Sequence, residues 1–166
     1  MIRFLDKKII YYFLILLFIF ALDRISKIYV INIAEKYGQV DIYINKFLNI
    51  ILVWNSGIGF GLLSFEKQFL YNFITLIIIL VNFVILYLGI KSNNFKGFLF
   101  FIILGGSLGN LFDRLYYSAV PDFIDVNYNG FHWFIFNVAD IFISVGIICL
   151  IFAELFFNKK EKLNEK

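Results

Sequence analysis

One cysteine, one proline and one histidine in 166 residues remove several common chemistries before any motif is read. Cys149 alone forms no disulfide within the chain and builds no thiolate metal site. In its apolar surroundings it reads as a small packed hydrophobe. His132, the sole histidine, leaves a histidine-based triad or a zinc centre without partners; beside Trp133 it reads as an interfacial residue. Pro121, the only proline, falls in a segment between apolar runs. Charge is scarce as well. Only 16% of residues are charged while 61% are hydrophobic, whereas soluble domains carry about a quarter charged. A soluble fold is excluded, and no metal or cofactor is called for.

What the chain has in quantity is apolar length. Runs of about 17–25 residues span hydrocarbon, and four are present, at about 9–31, 69–90, 98–115 and 134–157. They take up most of the sequence. The expected fold is an all-α integral membrane protein of four transmembrane helices, one polytopic domain over residues 1–166, with a small β-rich extracytoplasmic segment at 32–68. The net charge of +3 is distributed by topology. Arg3, Lys7 and Lys8 precede the first span, Lys91 and Lys96 flank the turn between the second and third, and Lys159, Lys160, Lys162 and Lys166 crowd the tail. Positively charged flanks stay in the cytoplasm, so both termini are predicted inside. The segment 116–133 has no lysine or arginine. The basic start followed by an apolar run imitates a signal peptide, but Asp23-Arg24 follows with no small-x-small cleavage site, which predicts an uncleaved first span.

Between the first two spans, residues 40–45 and 47–53 are rich in β-branched residues and alternate in polarity. Two short strands with a turn at Asn45-Lys46 are expected there. Asn55-Ser56-Gly57-Ile58-Gly59-Phe60-Gly61 follows, able to bend tightly or approach a ligand closely, and residues 62–68 suit a short interfacial helix. The three alternating glycines lack the strand–turn–helix setting and the lysine of a phosphate loop. Nucleotide and nucleic-acid partners are not expected.

Polar residues placed by depth converge at one end. The first span carries Asp23, Ser26 and Lys27 in its outer third, with Asp23 and Lys27 one helical turn apart. The third span ends Gly105-Gly106-Ser107-Leu108-Gly109-Asn110-Leu111-Phe112-Asp113-Arg114. The fourth opens with Asn137, Asp140 and Ser144 on one stripe, and Asp122 lies in the loop before it. Ionisable groups inside membrane spans are rare and by default mark a functional site. Plainer roles exist for each group. Gly105-x-x-x-Gly109 suits close helix packing, Asp113-Arg114 a structural ion pair, and Asp23-Lys27 a span-end pair reaching the headgroups.

Asp140 resists such a reading. A carboxylate below the outer boundary costs roughly 2.5–3.5 kcal/mol, so it needs a partner or a proton, and Asp122 is the available neighbour. Two carboxyl groups sharing a site do not both ionise easily; one is held protonated while the other acts as base. That pair activates water against a peptide carbonyl without metal or cofactor.

These motifs together resemble the bacterial lipoprotein signal peptidases, or signal peptidase II, over nearly the whole chain. Asp23-Arg24-Ile25-Ser26-Lys27 is similar to the family's D-x-x-S/T-K, and residues 55–61 to N-x-G-x-A/S-F-G/S. Residues 105–114 are similar to GGAxGNxxDR, Val120-Pro121-Asp122-Phe123 to V-x-D-F, and Phe136-Asn137-Val138-Ala139-Asp140 to FNxAD. Gly59 and Ser107 depart from the pattern but remain small. The resemblance implies an inner-membrane aspartic endopeptidase that cleaves diacylglyceryl-modified prolipoproteins on the amino side of the lipidated cysteine. It assigns catalysis to Asp122 and Asp140 and support to Asp23, Lys27, Asn55, Gly57, Asn110, Asp113, Arg114 and Asn137. Asn55 and Arg114 would meet the substrate backbone, and Asn110 and Asn137 would orient the aspartates.

Two other classes fit four spans with buried carboxylates. A small proton- or ion-coupled transporter would place pathway groups at the midplane or on both sides, which this chain does not. A non-catalytic assembly factor would use the polar stripes as helix–helix glue.

Overall fold

The computed structural model describes residues 7–56, 67–92 and 94–164. The elements run α1 (Lys7–Tyr37), β1 (Asp41–Asn45), β2 (Leu48–Asn55), α2 (Lys67–Lys91), α3 (Asn94–Tyr117), β3 (Val120–Tyr128), β4 (Phe131–Phe136) and α4 (Val138–Asn164). All four helices are long and apolar enough to cross a membrane. Their outer faces are hydrocarbon-compatible, with Phe18, Leu80, Phe83 and Ile148 all exposed, while Asp23, Lys27 and Asp113 are fully buried. Polarity is thus turned inward, as a lipid solvent requires.

Helix α3 is the central post, packing against α1, α2 and α4. Its glycines allow the approach. A Cβ on Gly105 would stand 3.0 Å from the Leu16 carbonyl oxygen of α1, and one on Gly106 would stand 2.6 Å from the Ala139 carbonyl oxygen of α4. Tyr12, Leu16, Phe101 and Leu104 fill the α1–α3 seam. Helix α2 packs on α3 through a narrow stripe that includes Tyr71 and Thr75.

The strands form one antiparallel sheet in the order β1-β2-β3-β4. The expected pair after the first helix is there, and its turn is built as an Asx turn, with the Phe47 N–H donating to Asn45 Oδ1 at 2.9 Å. Three boundaries differ from the sequence expectation. The first helix continues to Tyr37, ended by Gly38 at φ +79° in the left-handed conformation that glycine tolerates. The segment 116–133 is no open loop, because it supplies β3 and the first half of β4, so half the sheet comes from between the third and fourth helices. Residues Phe134–Phe136, read as the start of the fourth span, complete β4, and the helix begins at Val138. The β3–β4 reversal uses Asn129 and Gly130 at φ +50° and +79°, a turn whose twist matches antiparallel strands. The proposed interfacial helix at 62–68 lies largely outside the described residues.

Val30, Val40 and Phe123 form a second core with Ile33, Ala34, Ile50 and Val138 around it. This cluster clamps the sheet onto the last turns of α1 and the first of α4. It also sets Pro121 where β3 is paired with β2 only, since β4 joins from Ile124 onward, so the missing N–H costs no bond on that side.

Candidate active site

Asp122 enters from β3. The β2–β3 register places Val53 opposite it and Asn55 opposite Val120. From there Asn55 Nδ2 donates to Asp122 Oδ2 at 2.9 Å. The other oxygen, Oδ1, accepts from Asn137 Nδ2 at 2.6 Å. Asp122 is 3% exposed. Burial pushes its carboxyl above the ordinary carboxylate value, and the neighbouring Asp140 charge pushes the same way. Hydrogen bonds from Asn55 and Asn137 and the Lys27 charge oppose that shift.

Asp140 sits in the first turn of α4, where Asn137 is the N-cap. Asn137 Oδ1 accepts the Asp140 N–H at 3.1 Å, and Asp140 Oδ2 accepts the Asn137 N–H at 3.1 Å. This reciprocal capping box satisfies two backbone donors that a helix start would otherwise leave open. Asp140 Oδ1 accepts from Asn110 Nδ2 on α3 at 2.8 Å. The expected depth cost is therefore smaller than the sequence suggested. Asp140 is the third residue of its helix and lies at the positive end of the helix dipole.

Beneath this pair lies a charge cluster. Lys27 is fully buried and its Nζ donates to Asp23 Oδ2 at 2.8 Å, Asp113 Oδ2 at 2.7 Å and Asn110 Oδ1 at 2.8 Å. All three ammonium protons are accounted for. Arg24 bridges the same two acids, at 3.0 Å from Asp23 and in an ion pair with Asp113. Asp23 Oδ1 accepts the Ala139 N–H at 3.0 Å, tying α1 to the start of α4. The pair Asp23-Lys27 is thus sealed inside the bundle and does not reach the headgroups. Two acids and two bases neutralise one another, the condition under which buried charge is tolerated.

Asp113 pairs with Arg24 and Lys27, and Arg114 turns the other way. Its guanidinium lies 5.7 Å from the centroid of the Tyr71 ring, and the Tyr71 hydroxyl donates to the Arg114 carbonyl at 2.9 Å. Arg114 Nη1 is buried with no hydrogen-bond partner among the described residues. Gly57 lies outside the described residues. His132, half exposed, holds Nδ1 2.9 Å from both oxygens of the buried Asp125. Sequence reasoning did not single out Arg24 or Tyr71 as part of the site. Arg24 was detectable as a third charge at the depth of Asp23 and Lys27; Tyr71 had no signal in a chain with ten tyrosines.

Spanning helices and a sheet that bring two carboxyl groups onto one asparagine suit a membrane aspartic protease. Residues 15–156 match the sequence profile of the family described as signal peptidase (SPase) II. The chain is 51% identical to the lipoprotein signal peptidase of Pelagibacter ubique (strain HTCC1062) over 152 residues, covering 92% of this chain and 91% of that one. It is 37% identical to the lipoprotein signal peptidase of Anaplasma marginale (strain Florida), covering 86% and 82%. Its fold is similar to that of a bacterial membrane enzyme solved by the in meso method at 2.3 Å resolution, with a TM-score of 0.71, 30% identity and coverage of 99% and 94%. The chain belongs to the signal peptidase II family, and is a multi-pass bacterial membrane aspartic protease with signal peptidase II function.

Proposed function

We propose that Asp122 and Asp140 are the catalytic dyad. In this reading the enzyme cleaves diacylglyceryl-modified prolipoproteins on the amino side of the lipidated cysteine, at the periplasmic face of the inner membrane. The observation that carries this is Asn137, which donates its side-chain amide to Asp122 and its backbone N–H to Asp140. One residue thereby ties both carboxyl groups to a single locus at the junction of sheet and helix.

The chemistry divides between the two. Asp122, whose burial favours the neutral acid, donates its proton to the scissile carbonyl oxygen. Asp140, at a helix N-terminus that favours negative charge, takes a proton from the attacking water. The resulting gem-diol returns a hydroxyl proton to Asp122 while Asp140 protonates the amide nitrogen, and the C–N bond breaks. Both carboxyls end as they began. In this reading Arg114 Nη1 and Asn55 hold the substrate backbone, and Asp23, Lys27, Asn110 and Asp113 support the dyad.

The whole chain acts as one polytopic unit, with both termini cytoplasmic and the sheet extracytoplasmic; the basic flanks of residues 7–8, 91–96 and 159–166 support that orientation. A lipidated substrate keeps its acyl chains and signal segment in the bilayer, so its scissile bond meets a dyad at the membrane surface. Membrane lipid and the substrate are the partners in this reading, and nucleotide and nucleic acid have no part. The test is cleavage of a purified diacylglyceryl prolipoprotein by wild type, Asp122→Asn and Asp140→Asn. Each variant is expected to stay folded and to lose turnover by at least about 10²–10⁴-fold. Folded variants that cleave at the wild-type rate would refute the assignment.

A further inference from the structure

The opposite end of the bundle carries a second arrangement of cation and groove. Lys8 stands in the first turn of α1, Phe95 in the first turn of α3, and Lys91 ends α2. They share one depth, and Asp23 lies fifteen residues further along α1, roughly 22 Å away at the helical rise. Lys8 Nζ donates to the Ser92 carbonyl at 3.0 Å and lies 5.6 Å from the centroid of the Tyr12 ring. Beside it a groove of about 480 Å³ is lined by Lys8, Tyr11, Tyr12, Phe95 and Phe98. Tyr11 and Phe95 are 56% and 52% exposed, and Tyr11 stacks on Phe98 at 6.2 Å.

We propose that this groove binds an anionic phospholipid, its phosphate on Lys8 and its upper acyl chain along Tyr11, Phe95 and Phe98. An ammonium has three donors, and Ser92 takes one of those on Lys8. Charge complementarity favours an anion. Lys7 and Lys8 adjoin in sequence, Lys91 follows at the same level with its Nζ on the Tyr87 hydroxyl, and none of the three has an acidic partner among the described residues. Lys96, by contrast, is committed to Glu154. The aromatic floor selects the source. A free phosphate would use the cation and leave the apolar groove empty, whereas a lipid fills both, and a basic residue near a membrane surface contributes about 1 kcal/mol toward anionic lipid. The site is independent of the dyad.

The test uses the purified full chain in phosphatidylcholine nanodiscs doped with phosphatidylglycerol, reading lipid retention by native mass spectrometry and unfolding temperature. Wild type is expected to retain phosphatidylglycerol about five-fold over phosphatidylcholine. Lys8→Gln keeps an N–H for the Ser92 carbonyl but no charge, and is expected to lose that preference with unchanged prolipoprotein cleavage in pure phosphatidylcholine. Lys8→Arg retains the preference. Phe95→Ala, which leaves the Lys8–Ser92 link in place, is expected to weaken phosphatidylglycerol retention as well. Equal retention of the two lipids by wild type, undiminished preference in Lys8→Gln or Phe95→Ala, or equal stabilisation by inorganic phosphate alone would each overturn the proposal.

Discussion

Asn137 and Asp140 cap the start of α4 by exchanging hydrogen bonds, each accepting from the other's backbone N–H at 3.1 Å. The Asn137 side-chain amide is thereby left to reach across to Asp122 at 2.6 Å. A helix-capping device thus also sets the spacing of the two carboxyl groups, so fold and site share the same atoms.

That sharing separates in suitable variants. Asn137→Ala is expected to lose the cap, about 1 kcal/mol, and to misplace both carboxyls, lowering kcat by about 100-fold. Asn137→Ser restores an oxygen to the cap but no amide for Asp122. Its unfolding temperature is expected to recover while kcat stays low. Full kcat in either variant would show that Asn137 is a cap only.

Lys27 joins acids on two helices, α1 and α3. Lys27→Met leaves Asp23 and Asp113 buried with one fewer cation and is expected to destabilise the bundle by about 3–5 kcal/mol. Thermal unfolding in detergent measures it. A loss below about 1 kcal/mol would mean that Arg24 alone neutralises the pair.

The raised carboxyl of Asp122 makes stability depend on pH with a definite sign. A folded value above the unfolded one means that folding takes up a proton. The contribution is fully present below the unfolded value of about 4 and is lost as pH rises through the folded value. Wild-type stability is therefore expected to fall across that window relative to Asp122→Asn. Turnover that needs the proton on Asp122 is expected to fall over the same upper limb. Unfolding temperatures of both proteins against pH check this; a constant difference between them would refute it.

Glycines of α3 set how closely the charged residues approach. Gly106→Ala would place a Cβ 2.6 Å from the Ala139 carbonyl oxygen, which is backbone and must move with the start of α4. Gly105→Ala meets the Leu16 carbonyl oxygen at 3.0 Å, away from the carboxyls. Both are expected to cost stability, typically about 1–3 kcal/mol for overpacking. Only Gly106→Ala is expected to lose activity beyond that, measured as kcat on the folded fraction. Equal kcat in the two variants would sink the distinction.

The spans were legible because hydrocarbon demands a minimum apolar length, and the convergence of Asp23, Asp113, Asp122 and Asp140 followed from threading those spans alternately. The third and fourth strands were not recognised, although Asn129-Gly130 is a strong hairpin signal. The apolar run of β4 continues without a break into α4, so hydropathy alone extended the helix to residue 134. Asp122 reads as a loop residue because its strand partner, Val53 of β2, lies far away in sequence. The partners of Lys27 were only half visible, since Asp23 shares its helix but Asp113 lies 86 positions away.

By itself the sequence determined four membrane-crossing helices, the end at which their polar residues gather, and the aspartate most costly to leave unexplained, Asp140. Each follows from local length, period or the expense of charge in lipid. Only the tertiary structure decided that Asp122 rides on a strand, that Asn137 joins it to Asp140, and that Arg24 and Lys27 neutralise Asp23 and Asp113. Those facts depend on hydrogen bonds and ion pairs between separate helices and strands. Their geometry is set by how closely α3 lets its neighbours approach, which no one-dimensional pattern encodes.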